Sequence, residues 1–108
     1  MGRFGETLAA RFLESHGITV LDRNLRSGRG EIDVLGVDRH DAVVAFEVKT
    51  IVSEDAGADP LASADSVKLA AVRRAAAALT PPVWRVDVVG VVLGEEGATF
   101  RWLRDADW

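Results

Sequence analysis

Apolar and polar residues change their period several times along the chain, and each change marks an element. From Gly5 to His16, the residues Leu8, Ala9, Phe12 and Leu13 recur at the three-and-four spacing that lines one face of a helix, and Gly17 supplies a stop. Ile18-Thr19-Val20-Leu21 is rich in β-branched residues and predicts a short first strand ending near Asn24. Arg29 to Val37 has Ile32, Val34 and Leu35 apolar with Glu31 and Asp33 acidic, a period of two that fits a second strand. Asp38-Arg39-His40-Asp41 reads as a turn, and Ala42 to Thr50 as a third strand with an apolar first half, so the two strands are expected to form an antiparallel hairpin. Ser53 to Asp65, rich in Ala, Asp, Ser and Gly and containing Pro60, is a long loop. Ser66 to Leu79 is an alanine-rich helix, closed by Thr80-Pro81-Pro82 because a residue before proline is pushed away from helical angles. Val83 to Leu93 is a long apolar strand, and Gly94-Glu95-Glu96-Gly97 turns it back into Thr99–Leu103. The order α-β-β-β-α-β-β predicts one α/β domain, a mixed central sheet flanked by helices.

Composition narrows the chemistry. The 108 residues suit one domain, residues 1–108, and 48% of them are hydrophobic, enough for a core without staples. There is no cysteine, which removes disulfides, thiolate chemistry and the common zinc modules. His16 and His40 lack ligand-like spacing, so a bound metal is expected on carboxylates. No run approaches the roughly 20 apolar residues of a membrane span, and the start lacks a secretory apolar stretch, so cytoplasmic residence is expected. The net charge of −4 counts against a simple DNA-coating protein but is compatible with acidic metal ligands beside a local basic patch. Residues 1–30 hold Arg3, Arg11, Arg23, Arg26 and Arg29 against Glu6, Glu14 and Asp22, a mildly positive end that reads equally as solvated surface.

The chemistry concentrates in Gly30-Glu31-Ile32-Asp33 and Phe46-Glu47-Val48-Lys49. Strand alternation puts Glu31 with Asp33, and Glu47 with Lys49, on single faces. If the hairpin turns near His40, facing residue numbers sum to about 80 and Asp33 lies opposite Glu47, whereas a slip of one residue would separate them. Two adjacent carboxylates repel, and a hard divalent cation, Mg²⁺ or Mn²⁺, relieves the repulsion. Such an ion lowers the pKa of bound water and engages phosphate, while Lys49 orients that water or stabilises developing negative charge. The parts suit phosphodiester hydrolysis. An ordinary surface ion pair of Lys49 with Asp33 or Glu47 uses the same residues, and chemistry alone leaves both readings open.

Asp33, fourteen residues before Glu47-Val48-Lys49 and following a helix that bears Glu6, resembles the PD-(D/E)XK nuclease pattern. Gly5-Glu6-x-x-Ala9, Asn24-x-Arg26, Gly30-Glu31-Ile32-Asp33 and Glu47-Val48-Lys49-Thr50 resemble the YraN-like family of predicted endonucleases, related in fold to Holliday-junction resolvases and RecB-type nucleases. Lys68, the alanine-rich helix and Arg85-Val86-Asp87-Val88-Val89 extend the likeness over nearly the whole chain. The resemblance implies a restriction-endonuclease-like fold. It makes Asp33 and Glu47 metal ligands completed by Glu6, and Lys49 the catalytic lysine. Glu31 stays between a metal contact and a backbone cap. The expected cofactor is Mg²⁺ or Mn²⁺, and the expected partner is DNA, branched or structured forms included, with no membrane and with a homodimer admitted. Arg26, Arg29 and Lys68 are the candidate nucleic-acid contacts, Lys68 reading equally as a solvated lysine. The family usually follows Glu-Val-Lys-Thr with arginine, and Ile51 here lacks that cation. The competing function is a non-catalytic adaptor that keeps the nuclease fold to bind nucleic acid or protein.

Outside the cluster, Lys68 with Arg73 or Arg74 makes a candidate basic edge. Asp87, in an apolar strand, needs a partner such as an arginine and reads as structural. Trp84, Trp102 and Trp108 read as packing residues, and Arg101 and Arg104 around Trp102 are a weak nucleic-acid signal.

Overall fold

The computed structural model describes residues 2–28, 30–55, 58–60, 66–79 and 83–104, the side chains of residues 2 and 66–69 excepted. Seven elements follow in the order α1 (Gly2–Ser15), β1 (Thr19–Ser27), β2 (Gly30–Val37), β3 (Val43–Val52), α2 (Ser66–Ala77), β4 (Arg85–Gly94) and β5 (Gly97–Leu103). This is the α-β-β-β-α-β-β order expected of the sequence, with β1 running on to Ser27 rather than stopping near Asn24.

The five strands make one sheet in the order β1-β2-β3-β4-β5. Three neighbouring pairs are antiparallel, while β3 and β4 run parallel from Val44↔Arg85 to Val52↔Leu93. Parallel neighbours need a long crossover, and α2 supplies it. The helices cover opposite faces of the sheet. Ala9, Ala10 and Leu13 of α1 pack with Ile18, Val34, Val44, Phe46, Val48, Val89 and Val91. On the other face Val72, Ala75 and Ala76 of α2 pack with Ile32, Ala45, Val86 and Val88. Ser27 at the end of β1 donates its hydroxyl to the Ala75 carbonyl at 2.7 Å, fixing α2 to the first hairpin.

Helix α1 ends as its sequence suggests. Ile18 N–H donates to Leu13 O at 3.0 Å and Gly17 N–H to Glu14 O at 3.3 Å, with Gly17 at φ 91°. That is the Schellman pattern, in which glycine accepts the left-handed angle and the residue after it packs back on the last turn. Leu13 and Ile18 both sit in the α1-side core accordingly. The β2–β3 turn is closed by Asp38, whose Oδ1 accepts the amides of His40 at 2.8 Å and Ala42 at 3.0 Å. The Gly94–Gly97 turn joins β4 to β5 as expected.

One charge lies deep in the α1-side core. Asp87 is 0% exposed. Its carboxylate accepts Arg85 Nε–H at 3.0 and 3.2 Å and the indole N–H of Trp102 at 2.9 Å, and Arg85 also reaches Asp38 at 3.0 Å. The expected arginine partner is thus Arg85, two residues back on the same face of β4. Trp102 packs against Phe12 and Phe46, as a packing residue should. Trp84 does not: it lies just ahead of β4 and is 77% exposed. Trp108 lies outside the described residues.

A buried carboxylate tolerates its surroundings only while its partners are in place. Asp87→Ala leaves Arg85 with Asp38 alone and strands the buried Trp102 N–H, and should destabilise the fold by about 1–3 kcal/mol in urea unfolding. A loss below about 1 kcal/mol would show that the surface around Arg85 rehydrates it at little cost.

Candidate metal and catalytic site

The hairpin register decides whether the carboxylates meet. Strands β2 and β3 pair Val37↔Val43, Gly36↔Val44, Leu35↔Ala45 and Val34↔Phe46, each summing to 80. Continued by one step, the same register sets Asp33 against Glu47. There the backbone ladder ends, and Val48 N–H turns instead to Asp33 Oδ2 at 2.9 Å. The Asp33 side chain takes the place of a backbone acceptor and is thereby fixed beside Glu47-Val48-Lys49.

The fork has a cause on the other side of β2. Arg23↔Val34 and Leu25↔Ile32 bracket Asn24, which faces Asp33 and adopts φ 53°. Asparagine enters the left-handed region more readily than most residues. The twist it introduces reverses the faces. Ile32 and Leu25 pack on the α2 side, while Val34 packs on the α1 side and Arg23 donates to Thr7 Oγ1 of α1. Strict alternation, assumed from the sequence, therefore fails at Asp33. Glu31 is exposed and Asp33 is buried, although alternation would pair them on one face.

Strand β3 keeps its alternation. Phe46 and Val48 enter the α1-side core, so Glu47 and Lys49 project on the α2 side with Ala45. Glu47 lies beside Val88 in the parallel ladder, and Lys49 beside Gly90, which has no side chain to crowd the lysine. Asp33 and Glu47 are 8% and 7% exposed, and Lys49 is half-buried.

Glu6 comes from the second turn of α1, with its Oε1 closed off from solvent. Its neighbour Gly5 is pressed against Thr50: a Cβ there would overlap Thr50 Oγ1 and come within 2.9 Å of its Cβ and Cγ2. This contact sets the start of α1 against the end of β3. Among the described residues, no group of three His, Cys, Asp or Glu side chains stands close enough to hold a metal ion by itself. The Asp33–Glu47 pair still fits Mg²⁺, which is commonly held by one or two carboxylates with water and substrate phosphate completing its shell. Arg26 is exposed on β1 opposite Glu31. Arg29 lies outside the described residues, and Lys68 is in the first turn of α2 with its side chain outside them. Ile51 is half-buried and lies beside Val92.

Residues 5–91 match the model of the uncharacterised protein family UPF0102. The chain belongs to this family. It is 44% identical over 98 residues to a UPF0102 protein of Paenarthrobacter aurescens, covering 85% of this chain and 79% of the relative. It is 36% identical over 113 residues to one of Marinobacter nauticus, covering 98% and 90%, and 43% identical over 104 residues to one of Kineococcus radiotolerans, covering 90% and 84%. UPF0102 is the YraN family, of PD-(D/E)XK-like fold, as the resemblance of the motifs implied. The UPF0102 match starts at Gly5, the residue that seats α1 on Thr50, and takes in Asp33, Glu47 and Lys49. Asn24 is the residue whose part in the site sequence reasoning missed. The available signal was an asparagine, a poor strand former, inside a strand.

The Gly5–Thr50 contact yields a direct test. Gly5→Ala overpacks it and should cost about 1–3 kcal/mol in thermal or urea unfolding, and trimming the facing side chain in Gly5→Ala/Thr50→Ala should recover part of the loss. Equal stability of Gly5→Ala and wild type would mean that α1 can slide on β3.

Proposed function

We propose that this protein is a divalent-metal-dependent endonuclease that hydrolyses phosphodiester bonds in DNA, with Asp33 and Glu47 holding the metal and Lys49 beside the scissile phosphate. The observation that carries this reading is the Val48 N–H to Asp33 Oδ2 bond at 2.9 Å, which holds one buried carboxylate at the strand that bears the other. A structural ion pair has no need of such an arrangement. Taking two carboxylates out of water side by side is costly, and the cost is offset when a cation joins them.

Each residue then has a task. The Val48 amide fixes the rotamer of Asp33, leaving Oδ1 to face a ligand. Glu47 supplies the second hard oxygen donor from the facing strand. When bound, Mg²⁺ or Mn²⁺ supplies Lewis acidity toward the phosphate and a water of lowered pKa. Lys49, two residues on from Glu47 on the same face, brings an ammonium that stabilises negative charge developing on the phosphoryl oxygens or orients the attacking water. Glu6 stands outside the direct ligand set, since among the described residues no third carboxylate groups with Asp33 and Glu47. Branched or otherwise structured DNA is within the proposed substrate range. The adaptor reading rests on the net charge of −4 and on Ile51, where the family's arginine would add a phosphate contact.

Mn²⁺ calorimetry run in parallel with cleavage of linear, single-stranded and branched DNA tests the assignment. Asp33→Asn removes a direct ligand and should weaken metal binding by at least roughly tenfold, the lower end of what even outer-shell changes cost. Lys49→Ala should keep metal affinity or raise it slightly, while cleavage falls about 10²–10³-fold, as for loss of one charge-stabilising donor. If Asp33→Asn binds metal and cuts as wild type does, the assignment is wrong. If wild type binds structured DNA but cuts none with any metal, the adaptor reading prevails.

A further inference from the structure

At the other end of the sheet the chain builds a second polar centre, unconnected with Asp33 and Glu47. The C-terminal end of α1, the β2–β3 turn, the start of β4 and the end of β5 line an open cleft of about 370 Å³, within the size range of small-ligand sites. We infer that this cleft binds a phosphate-bearing anion, gripped by Arg39 and Arg104.

The charge balance of the cleft is opposite to that of the whole molecule. Among the described residues its walls carry Arg39, Arg85 and Arg104 with His16 and His40, against one acid, Asp38. Asp38 is already committed. The amides of Ala42 and then His40 hold its carboxyl below the ordinary range; burial opposes them, and Arg85 adds to the lowering. Burial works against the Arg85 charge, but Asp87 and Asp38 together more than restore it. Arg85 is therefore a fixed strut between two carboxylates and leaves neither to neutralise its neighbours.

Arg39 and Arg104 differ from Arg85 in this respect. Among the described residues neither makes an ion pair or a side-chain hydrogen bond, yet both are held in place. The Arg104 guanidinium lies 3.8 Å from the centre of the Trp102 ring. A guanidinium that stacks through its face keeps its in-plane N–H fork for another acceptor. Trp102 is itself pinned by its indole N–H to Asp87. Arg39 rests on Gly17, with Cζ and Nη2 3.1 Å from where a Cβ would stand. The glycine that closes α1 thus also makes room for the arginine, and any side chain there would displace it. His16 Nδ1 donates to Phe12 O at 2.8 Å and its ring lies tilted against Phe12 with centroids 4.3 Å apart, which fixes the imidazole on the cleft wall with Nε2 as an acceptor.

The donor set selects the ligand. Two guanidinium forks need more acceptor oxygens than a carboxylate has, and a phosphate offers them. The phosphate has two sources, a free phosphate or mononucleotide and the backbone of a nucleic acid. The site is separate from the proposed catalytic one: Arg85 is level with Val44, three residues before Glu47, and both Arg85 and Val44 belong to the α1 face.

Phosphorus NMR and calorimetry, in EDTA, with inorganic phosphate, AMP and a short DNA duplex test the inference. Wild type should bind at least one probe, and Arg39→Gln/Arg104→Gln should bind it at least tenfold more weakly. Arg101→Gln, whose arginine pairs with Asp59 at 2.8 Å outside the cleft, should change binding less than twofold. Binding of phosphate or AMP without duplex assigns a free anion. Binding of duplex assigns backbone contact, and its log–log salt slope should then fall by about 1.8 in the double variant, roughly 0.9 for each lost contact. If the double variant does not fold, Arg39→Gln alone carries the comparison, since Arg39 is exposed. Absence of binding to all three probes, or equal binding by the variant and wild type, overturns the inference.

Discussion

A strand with a helix on each face has no solvent side on which to place charge, and β3 is such a strand. Val44, Phe46 and Val48 are buried under α1, and Ala45 under α2. Glu47 nevertheless sits in its middle at 7% exposure. The ladder with β2 stops one step before this residue, and the opening at that point admits polar groups into an otherwise apolar layer. The end of the ladder and the presence of the carboxylates are one constraint seen twice. Backbone groups released from pairing need partners, and Asp33 supplies one to Val48. An uninterrupted hairpin would deprive the Asp33 carboxylate of the Val48 amide that stabilises it.

The same opening accounts for the division of the first hairpin between two cores. Because β1 and β2 reverse their faces together at Asn24 and Asp33, the end of the hairpin near Leu25 and Ile32 serves the α2 side and the end near Arg23 and Val34 serves the α1 side. A flat hairpin would bury only one of these faces. The kink therefore contributes to packing as well as to the site, and an asparagine that is a poor strand former fits there because the strand is not regular.

Much of this was legible in the sequence, for reasons that are local. The turn residues Asp38–Asp41 fix the centre of the β2–β3 hairpin, and a fixed centre fixes every facing pair, so residue numbers alone set Asp33 opposite Glu47. Gly17 and Gly97 marked element ends correctly because each lies in a turn at a left-handed φ that favours glycine. What was not legible depends on long-range geometry. Alternation through Ile32–Val34 misled because a single left-handed residue on the neighbouring strand shifted the phase. Trp84 misled because size and apolarity do not reveal whether a position is covered. His16 and His40 had no ligand-like spacing in sequence, yet the end of α1 and the hairpin turn bring both to one cleft.

The two polar centres are placed so that neither disturbs the other. The Asp38–Arg85–Asp87–Trp102 network binds the turn, β4 and β5 together at the start of β3, on the α1 face. Glu47 and Lys49 lie further along, on the α2 face, with Glu47 about 10 Å from Val44 at the strand rise of 3.3 Å. No residue of one group bonds to a residue of the other among the described contacts. Groups so separated contribute to stability and function nearly independently. The first network is fully partnered and acts as a clamp on the sheet. At the second, two buried carboxylates occupy adjacent strands at the step where backbone pairing lapses, which is the step the proposed chemistry would use.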